Sequence, residues 1–268
     1  MRLFFLGTAA SEGYPGIFCN CANCNEARAL GGRSLRLRSA LLVNDDLLID
    51  FGPDLLASAQ RFKRNLALVS TALVTHVHSD HFHLSNAHWR AAAFTGGQPI
   101  PTMSLFGPRE VTDALSTDLE KLRLEVSTVH AFDHWQHGGY TIDAYHAYHA
   151  VDVLETLFYS IDDGQHAVLY ASDTGRFPDD TWQALQGKSF DVIILEETMG
   201  TGDYSQHMSF ETFLDHAQRL RAAGMLRPGG RLIATHMSHY GNPTHEKVEA
   251  ILGPHGVEVA YDGLEIVL

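Results

Sequence analysis

The chain has 268 residues, of which 45% are hydrophobic and 10% aromatic, and this composition is sufficient to bury one sizeable core. Its 19 Lys and Arg residues against 32 Asp and Glu residues give a formal net charge of −13, which argues against general binding to nucleic acid or to an anionic membrane. No apolar run approaches the roughly 18 residues that a membrane-spanning helix needs. We therefore expect one domain over residues 1–268.

Histidine is unusually frequent, with 17 residues, whereas cysteine occurs only three times. The opening segment contains an apolar stretch at residues 3–6 that is too short for a signal peptide and is better interpreted as a first strand. We therefore expect a cytoplasmic protein. Because imidazole is a common metal ligand, the histidine content points towards metal binding.

Apolar runs of strand length alternate with helical patterns along the whole chain, without a Pro/Ser-rich linker or an internal repeat. In the first half, strands are predicted at residues 2–6, 39–43, 47–50 and 71–75, and helices at residues 55–62, 84–94 and 109–122. The turn residues Asn44 and Asp45 join the second and third of these strands as a hairpin.

The second half repeats the same alternation. Strands are predicted at residues 128–132, 140–147, 156–161, 167–172, 191–195, 231–235, 257–261 and 264–267, and helices at residues 210–223 and 244–252. Ser209 is a favourable N-cap for the first of these helices, and Gly224 is a favourable stop. Strand hairpins and βα units in both halves predict an α/β fold in which two sheets pack face to face with helices outside, a four-layer αββα sandwich.

Four potential metal ligands follow the predicted strand 71–75 within six residues, namely His76, His78, Asp80 and His81. Imidazole and carboxylate are ligands of zinc, manganese and iron ions, and a loop at a strand end can direct them at a common point. A lone histidine would be better interpreted as a polar surface residue. Four ligands at this density instead predict a site for two metal ions.

This run, Thr75-His76-Val77-His78-Ser79-Asp80-His81, resembles the His-x-His-x-Asp-His motif of the metallo-β-lactamase superfamily, whose members share the αββα fold. The remaining motifs of that superfamily match four further residues, each behind a predicted strand: Asp50, His149, Asp173 and His236. The resemblance implies one divalent ion on His76, His78 and His149, and a second on Asp80, His81 and His236. Asp173 would lie between the two ions, and Asp50 would support the loop.

Two details of the match leave alternatives open. His146 competes with His149 for the third histidine position, since both lie in Tyr145-His146-Ala147-Tyr148-His149, and His149 is preferred for its distance to the next strand. Many relatives also place a glycine shortly after the histidine motif, whereas this chain continues Phe82-His83-Leu84-Ser85-Asn86. The start of the following helix is therefore expected to differ.

All three cysteines lie in Cys19-Asn20-Cys21-Ala22-Asn23-Cys24. An odd number without a secretion signal argues against a disulfide framework, and Cys-x-Cys-x-x-Cys lacks one ligand for a tetrahedral structural zinc. The alternative is a set of reduced cysteines packed in a loop. The pattern resembles the PhnP-type phosphodiesterases of the phosphonate-degradation (carbon–phosphorus lyase) pathway, in which a Thr-His-x-Ser-His segment completes the zinc site. The resemblance implies His239 as the fourth ligand.

The resemblance also assigns a role to His207. In the resembling enzymes a histidine at this point contacts the phosphate and protonates the leaving oxygen, as histidine can near neutral pH. Without the resemblance, a solvated loop residue would be the better interpretation.

A basic cluster follows the cysteines and consists of Arg28, Arg33, Arg36 and Arg38. Guanidinium groups match phosphate geometry, but a solvated face is the preferred interpretation of this cluster.

No nucleophilic serine elbow, P-loop or dinucleotide fingerprint occurs, so the expected nucleophile is water. Two metal ions would lower the pKa of a water molecule between them towards about 7, with Asp80 and His207 as catalytic residues. The long arm of transfer-RNA-processing relatives is not evident, which favours a small substrate. The resemblance thus implies a homodimeric, metal-dependent phosphodiesterase acting on a small phosphorylated substrate such as phosphoribosyl 1,2-cyclic phosphate.

Two other functions remain open. A thioester or lactone hydrolase of the same superfamily would use the same metal ions. A non-catalytic metal-binding protein similar to PqqB would share the cysteine pattern. The ligand set accepts zinc, manganese or iron, so the identity of the two active-site metals stays undetermined, whereas the cysteine motif favours a structural zinc.

Overall fold

In the computed structural model, which describes residues 1–115 and 118–268, the strands form two mixed seven-stranded sheets. The strands of these described residues are β1 (Arg2–Gly7), β2 (Ala40–Val43), β3 (Leu47–Ile49), β4 (Thr71–Leu73), β5 (Met103–Gly107), β6 (Leu124–Thr128), β7 (His134–His137), β8 (Tyr140–His146), β9 (Leu157–Asp162), β10 (Ala167–Ala171), β11 (Phe190–Glu196), β12 (Leu226–Thr235), β13 (Glu258–Val259) and β14 (Glu265–Val267). The first sheet has the order β14-β1-β2-β3-β4-β5-β6, and the second has the order β13-β12-β11-β10-β9-β8-β7.

The helices lie on the outer faces of the sheets or in the connections. They are α1 (Ala22–Leu30), α2 (Leu55–Phe62), α3 (Ser85–His88), α4 (Arg109–Ala114), α5 (Leu119–Leu122), α6 (Asp179–Ala184), α7 (Phe210–Ala222) and α8 (His245–Leu252). Ser209 and Thr212 form a reciprocal capping box at the start of α7. Within the described residues, no helix combines the length and apolarity that crossing a membrane requires.

Successive side chains of each strand point to opposite faces of its sheet, and this alternation produces three apolar layers in the described structure. In β1, Leu3 and Phe5 face the core between the sheets, whereas Phe4 and Leu6 belong to the layer under α2 and α4. The outer face of the second sheet packs against α6, α7 and α8 through residues such as Phe213. The predicted four-layer αββα sandwich is therefore confirmed.

Two predicted helices are wrong in extent. The helix predicted at residues 84–94 is reduced to α3, and turns follow it, in which the amide of Arg90 donates to the Ala87 carbonyl oxygen three residues earlier. The helix predicted at residues 109–122 is divided into α4 and α5, because Asp118 has a φ of 59° and cannot continue a right-handed helix. Residues 116 and 117 of that prediction lie outside the described residues.

The strand predicted at residues 128–132 is also wrong, because β6 ends at Thr128 and Phe132 has a φ of 72°. Four elements of the structure have no counterpart among the predicted ones, namely β5, β7, α1 and α6. The strand β7 is a polar edge strand with no buried residue, so its sequence lacks an apolar alternation. Most other predicted elements, including α2 and α7, are found with small changes at their ends.

Parallel pairing places several strand ends at the same edge of the sandwich. In the first sheet β3 runs parallel to β4, and in the second sheet β10, β11 and β12 run parallel to one another. Loops that follow such strands meet at their carboxyl ends, where α/β proteins commonly bind ligands. The predicted ligands of the dinuclear site lie in loops that follow strands, so the topology gathers them at one edge.

Tyr159 joins the two sheets directly beneath these loops. Its buried hydroxyl donates to the Val74 carbonyl oxygen at 2.7 Å. We predict that Tyr159→Phe lowers the free energy of unfolding by about 1 kcal/mol, because the carbonyl loses a buried hydrogen bond. Denaturant unfolding measures the change. The control Tyr240→Phe, at a side chain that is 77% exposed, should change stability by less than about 0.5 kcal/mol, and equal losses in both variants would contradict the prediction.

Candidate metal centre

Two groups of metal-ligand side chains share Asp173 at the edge of the sandwich. The first group consists of His76, His78, His149 and Asp173, and the second consists of Asp80, His81, Asp173 and His236. Within each group the candidate ligand atoms lie within 4.8 Å of one another. The structure therefore brings together all seven residues that the sequence analysis proposed for a dinuclear site.

The first group converges through ring nitrogens. His78 Nδ1 lies 2.8 Å from His76 Nε2 and 3.1 Å from His149 Nε2, and His76 Nε2 lies 3.4 Å from Asp173 Oδ2. Nitrogen ligands of one tetrahedral zinc ion are about 3.3 Å apart, given the usual zinc–nitrogen distance. Ligand atoms at these separations fit a shared divalent ion.

The second group converges in the same way on the other side of Asp173. His81 Nε2 lies 3.2 Å from His236 Nε2 and 3.1 Å from Asp80 Oδ2. Asp173 Oδ1 lies 2.7 Å from His236 Nε2, and its Oδ2 lies 3.1 Å from His81 Nε2. Divalent zinc, manganese or iron accepts both donor sets, which are three imidazoles on one side and two imidazoles with Asp80 on the other, with the carboxylate of Asp173 shared between them. The residues present therefore fit a dinuclear metal site.

Burial and the neighbouring histidines shift the pKa of the shared carboxylate of Asp173 in opposite directions. Burial would raise the pKa of Asp173, but the neighbouring His236 and His81 rings hold that pKa well below its usual range. The same balance applies to Asp80, where burial would raise the pKa and His81 holds it well below its usual range. Both carboxylates are therefore ionised and available to cations.

Asp50 holds the histidine loop from below, as the sequence analysis proposed. Its Oδ1 accepts hydrogen bonds from the Thr75 amide at 3.0 Å and hydroxyl at 2.9 Å, and its Oδ2 accepts one from His81 Nδ1 at 2.7 Å. A proton on Nδ1 leaves His81 Nε2 free to bind a metal ion. Thr75 Oγ1 also accepts from His76 Nδ1 at 3.0 Å, so one threonine and one aspartate orient two ligands.

Three residues of the site have left-handed backbone conformations. Asp50, Asp173 and His236 have φ values of 67°, 45° and 59°. Such conformations cost free energy in residues other than glycine and persist where the surrounding structure imposes them. Here they turn the chain sharply at strand ends so that the side chains point at the shared site.

Glu196 is a site residue that the sequence analysis missed. It is fully buried at the end of β11, where its Oε1 accepts from His207 Nδ1 at 2.9 Å. Its Oε2 accepts from the amide and hydroxyl of Thr198, and Thr198 Oγ1 accepts from His236 Nδ1 at 2.9 Å. One carboxylate thus orients both a metal ligand and His207. Its only sequence signal is the acidic pair Glu196-Glu197 at the end of a buried strand.

His207 lies beside the two metal groups. The centre of its ring is 4.8 Å from that of His149 and 6.0 Å from that of His236. Burial would lower the pKa of His207, but the carboxylate of Glu196 outweighs it and raises the pKa above its ordinary value. The structure therefore places a histidine with a raised pKa next to the candidate metal centre.

A cavity of about 950 Å³ extends from His207, and Tyr148 and Tyr204 also line it. Four charged residues contribute to its lining: Arg176, Asp179, Asp203 and Glu211. Arg176 forms an ion pair with Asp215 at 3.3 Å, whereas none of the three lining carboxylates forms an ion pair with another described residue. The cavity is thus polar, partly aromatic and acidic away from the metal groups.

The three cysteines and His239 form a separate cluster. His239 Nδ1 lies 3.6 Å from Cys19 Sγ and 3.7 Å from Cys21 Sγ, and all four ligand atoms lie within 4.8 Å of one another. Sulfur and nitrogen ligands of a tetrahedral zinc ion are about 3.6 Å apart. The amides of Gly16 and Cys24 donate to sulfur atoms of the cluster. This donor set fits a structural zinc.

The structure also settles the positions of the other candidate residues. His146 lies outside both metal groups and pairs with Asp180 at 3.2 Å, so His149 takes the third histidine position. The basic cluster does not form one solvated face, because Arg36 is buried and donates to Thr8 Oγ1 and the Ala260 carbonyl oxygen.

The other three arginines of the cluster bind protein groups. Arg28 donates to the carbonyl oxygens of Gly16 and Cys19, Arg33 lies 3.6 Å from Glu249, and Arg38 pairs with Asp54 at 3.0 Å. None of the four arginines lines the cavity beside His207. Arg28 therefore supports the cysteine loop, whereas Arg33 and Arg38 pair with carboxylates outside it.

A family model described as a beta-lactamase superfamily domain matches residues 46–237. This range contains the seven ligands of the two metal groups as well as Asp50, Glu196 and His207. A comparison with curated protein sequences gives no match.

Solved structures with the same fold cover nearly the whole chain. A new diphosphatase from the PhnP family is 24% identical with a TM-score of 0.77, over 99% of this chain and 97% of that one. Zinc-bound PqqB from Methylobacterium extorquens is 19% identical with a TM-score of 0.73, over 100% of both chains. The short form of human tRNase Z is 16% identical with a TM-score of 0.67, over 100% of this chain and 99% of that one. At these identities the likeness shows a common fold.

Gly52 allows the histidine loop to approach the first sheet. A Cβ atom at this position would lie 2.1 Å from the Asp80 carbonyl oxygen. We predict that Gly52→Ala displaces Asp80 and weakens metal binding at least about tenfold, as expected when support of a ligand is lost. Metal competition with a chromophoric chelator measures the affinity. Gly253→Ala, where a Cβ would meet no atom within 4 Å, is the control, and unchanged affinity in Gly52→Ala would show that the contact is dispensable.

Proposed function

This chain belongs to the beta-lactamase superfamily, and on that premise we propose that it is a metal-dependent hydrolase that converts small phosphodiesters to phosphomonoesters. The observation that carries the proposal is the position of His207, whose ring lies 4.8 Å from that of a metal ligand and whose Nδ1 is held by Glu196. Phosphodiester cleavage needs a proton at the leaving oxygen, and this side chain can supply it. One solved structure with the same fold is described as a PhnP-family diphosphatase, so hydrolysis at phosphorus occurs on this fold.

The side chains around the metal groups have distinct roles in this reaction. Divalent ions held by the seven ligands would supply an activated water molecule and would neutralise charge on the phosphoryl group. Asp80 is the proposed catalytic carboxylate, because it is ionised and can accept a hydrogen bond from the attacking water. Asp50 keeps His81 in the tautomer that binds metal through Nε2.

Proton delivery is assigned to His207. Because its Nδ1 donates to Glu196 Oε1 at 2.9 Å, Nε2 is the nitrogen available to the leaving oxygen. The carboxylate favours the protonated ring before the reaction and keeps the ring in place after the proton has left. Glu196 therefore acts as a positioning residue for the proposed acid.

The charges of the cavity bear on the substrate. Phosphoribosyl 1,2-cyclic phosphate, which the resemblance implies, carries a phosphate in addition to the cyclic diester. Of the described cationic side chains that line the cavity, Arg176 is already paired with Asp215 and His207 is assigned to the leaving oxygen, while three lining carboxylates would repel a second phosphate. We therefore propose the broader class of small phosphodiesters and take phosphoribosyl 1,2-cyclic phosphate as one member to be tested.

The metal content follows from the three donor groups. We predict three divalent ions per chain in the purified protein, with zinc in the cysteine cluster because thiolates prefer soft metal ions. Elemental analysis should show two ions per chain in His239→Ala and three in the control His146→Ala. A wild-type protein with a single metal ion after loading with zinc and manganese would refute the dinuclear proposal.

The acid role of His207 predicts a dependence on the leaving group. The variant His207→Asn should lose about 10²–10⁴ in kcat on 2′,3′-cyclic adenosine monophosphate, whose sugar oxygen must be protonated. On bis(p-nitrophenyl) phosphate, whose p-nitrophenolate leaves without a proton, the loss should be less than about tenfold. Steady-state kinetics with metal-loaded protein measure both values.

The controls distinguish loss of the acid from loss of bound metal or of the folded structure. His207→Asn should keep the wild-type metal content, and Asp80→Ala should lose activity on both substrates. Equal losses on the two substrates in His207→Asn would contradict the acid role. A metal-loaded wild-type protein that cleaves neither diester but hydrolyses a thioester or lactone would replace the phosphodiesterase proposal with the acyl alternative.

A further inference from the structure

An apolar groove lies on the outer face of the first sheet, remote from the cavity beside His207. We propose that this outer groove, lined among others by Phe51, Leu55, Leu66, Trp89, Arg90 and Phe94, is a second ligand site that binds an amphipathic carboxylate, with Arg90 binding the carboxylate and the apolar wall binding the hydrocarbon chain.

The shape and surface of the outer groove are those of a ligand site. Its volume is about 570 Å³, which lies within the range of roughly 300–1,000 Å³ that small-molecule sites occupy. Trp89 and Phe94 pack edge to face, with their ring centres 4.9 Å apart, although these side chains are 55% and 60% exposed. Leu56 also lines the groove and is 66% exposed. Large apolar side chains gathered at one exposed place mark a binding surface.

Arg90 is the only charged residue in the lining of the outer groove, within the described part of the chain. Only 8% of this residue is exposed. Its Nη2 donates to the carbonyl oxygens of Pro101 and Arg123, at 2.7 and 3.3 Å. Its Nε is buried and has no hydrogen-bond acceptor among residues 1–115 and 118–268, and no carboxylate there forms an ion pair with it. A cation is thus buried without a counter-ion.

A buried charge without a partner is costly, and proteins normally pair it. Burial and the nearby Arg123 lower the pKa of Arg90 to about 10. The carboxylate of a ligand in the outer groove would supply the missing counter-ion at the edge of the guanidinium that lines the groove. A single guanidinium beside an apolar wall matches one carboxylate with a hydrocarbon chain, the chemistry of a medium-chain fatty acid.

Calorimetric titration of the metal-loaded protein with decanoate, below its micellar concentration, tests the proposal. We expect saturable binding of one decanoate per chain and at least tenfold weaker binding of 1-decanol, which has the same chain without the charge. Arg90→Met should weaken decanoate binding at least tenfold and leave decanol binding unchanged. Arg109→Met, at an exposed arginine outside the groove, is the matched control and should bind decanoate as the wild type does.

A second variant keeps the test informative if Arg90→Met fails to fold. Ala59→Trp retains Arg90 but fills the outer groove, and it should abolish binding of decanoate and decanol while the protein keeps the thermal unfolding midpoint of the wild type within a few degrees. Equal affinity for decanoate and decanol would overturn the proposed role of Arg90. Absence of decanoate binding in the wild type would overturn the proposal, and a wild-type dimer that dissociates in Ala59→Trp by sedimentation would then identify a second copy of the chain as the occupant.

Discussion

The carboxylate of Asp173 is the interaction on which the candidate metal centre depends. It is fully enclosed, and its oxygens lie within 3.4 Å of ring nitrogens from both metal groups. A buried carboxylate is stable only when positive charge surrounds it. Histidines from both sheets therefore have to converge on it, and the strained turns at Asp50, Asp173 and His236 are the backbone consequence of that convergence.

One short segment holds the cysteine cluster and the dinuclear site in a fixed relation. His236 belongs to the second metal group, and His239, three residues later, belongs to the cysteine cluster. Between them, the Met237 amide donates to the Thr8 carbonyl oxygen, and the Ser238 amide donates to that of Thr198. Because both residues are tied to strand ends, a bound zinc at the cysteines would stiffen the segment that presents His236 to the second group. The cysteine cluster thus has a structural reason to lie so close to the catalytic residues.

The sequence was informative where chemistry requires several residues in a dense pattern. The histidine motif could be recognised because four ligands directly behind a buried strand, here His76, His78, Asp80 and His81, rarely occur together without a metal ion. The αββα fold could be predicted from the alternation of apolar strands and helices and from the resemblance of the motifs to those of the superfamily. Glu196 escaped recognition because an isolated buried acid has no period or spacing that marks it. The helix predicted at residues 84–94 failed for a tertiary reason, since Arg90 donates to carbonyl oxygens of Pro101 and Arg123 across the fold. Such long-range contacts override local helical preference.

Glu196 links the two functions that the site has to coordinate. Its Oε1 holds the proposed acid His207, and its Oε2 holds Thr198, which in turn accepts from the metal ligand His236. A shift of this carboxylate would move the proton donor and the second metal group together, so their relative geometry is maintained during small motions of the loop that carries His207. In the proposed reaction, the attacking water and the protonated leaving oxygen would lie on opposite sides of the phosphorus atom, so the metal groups and His207 would need a constant separation. A rigid, fully buried carboxylate at the end of β11 provides that separation better than two independent supports would.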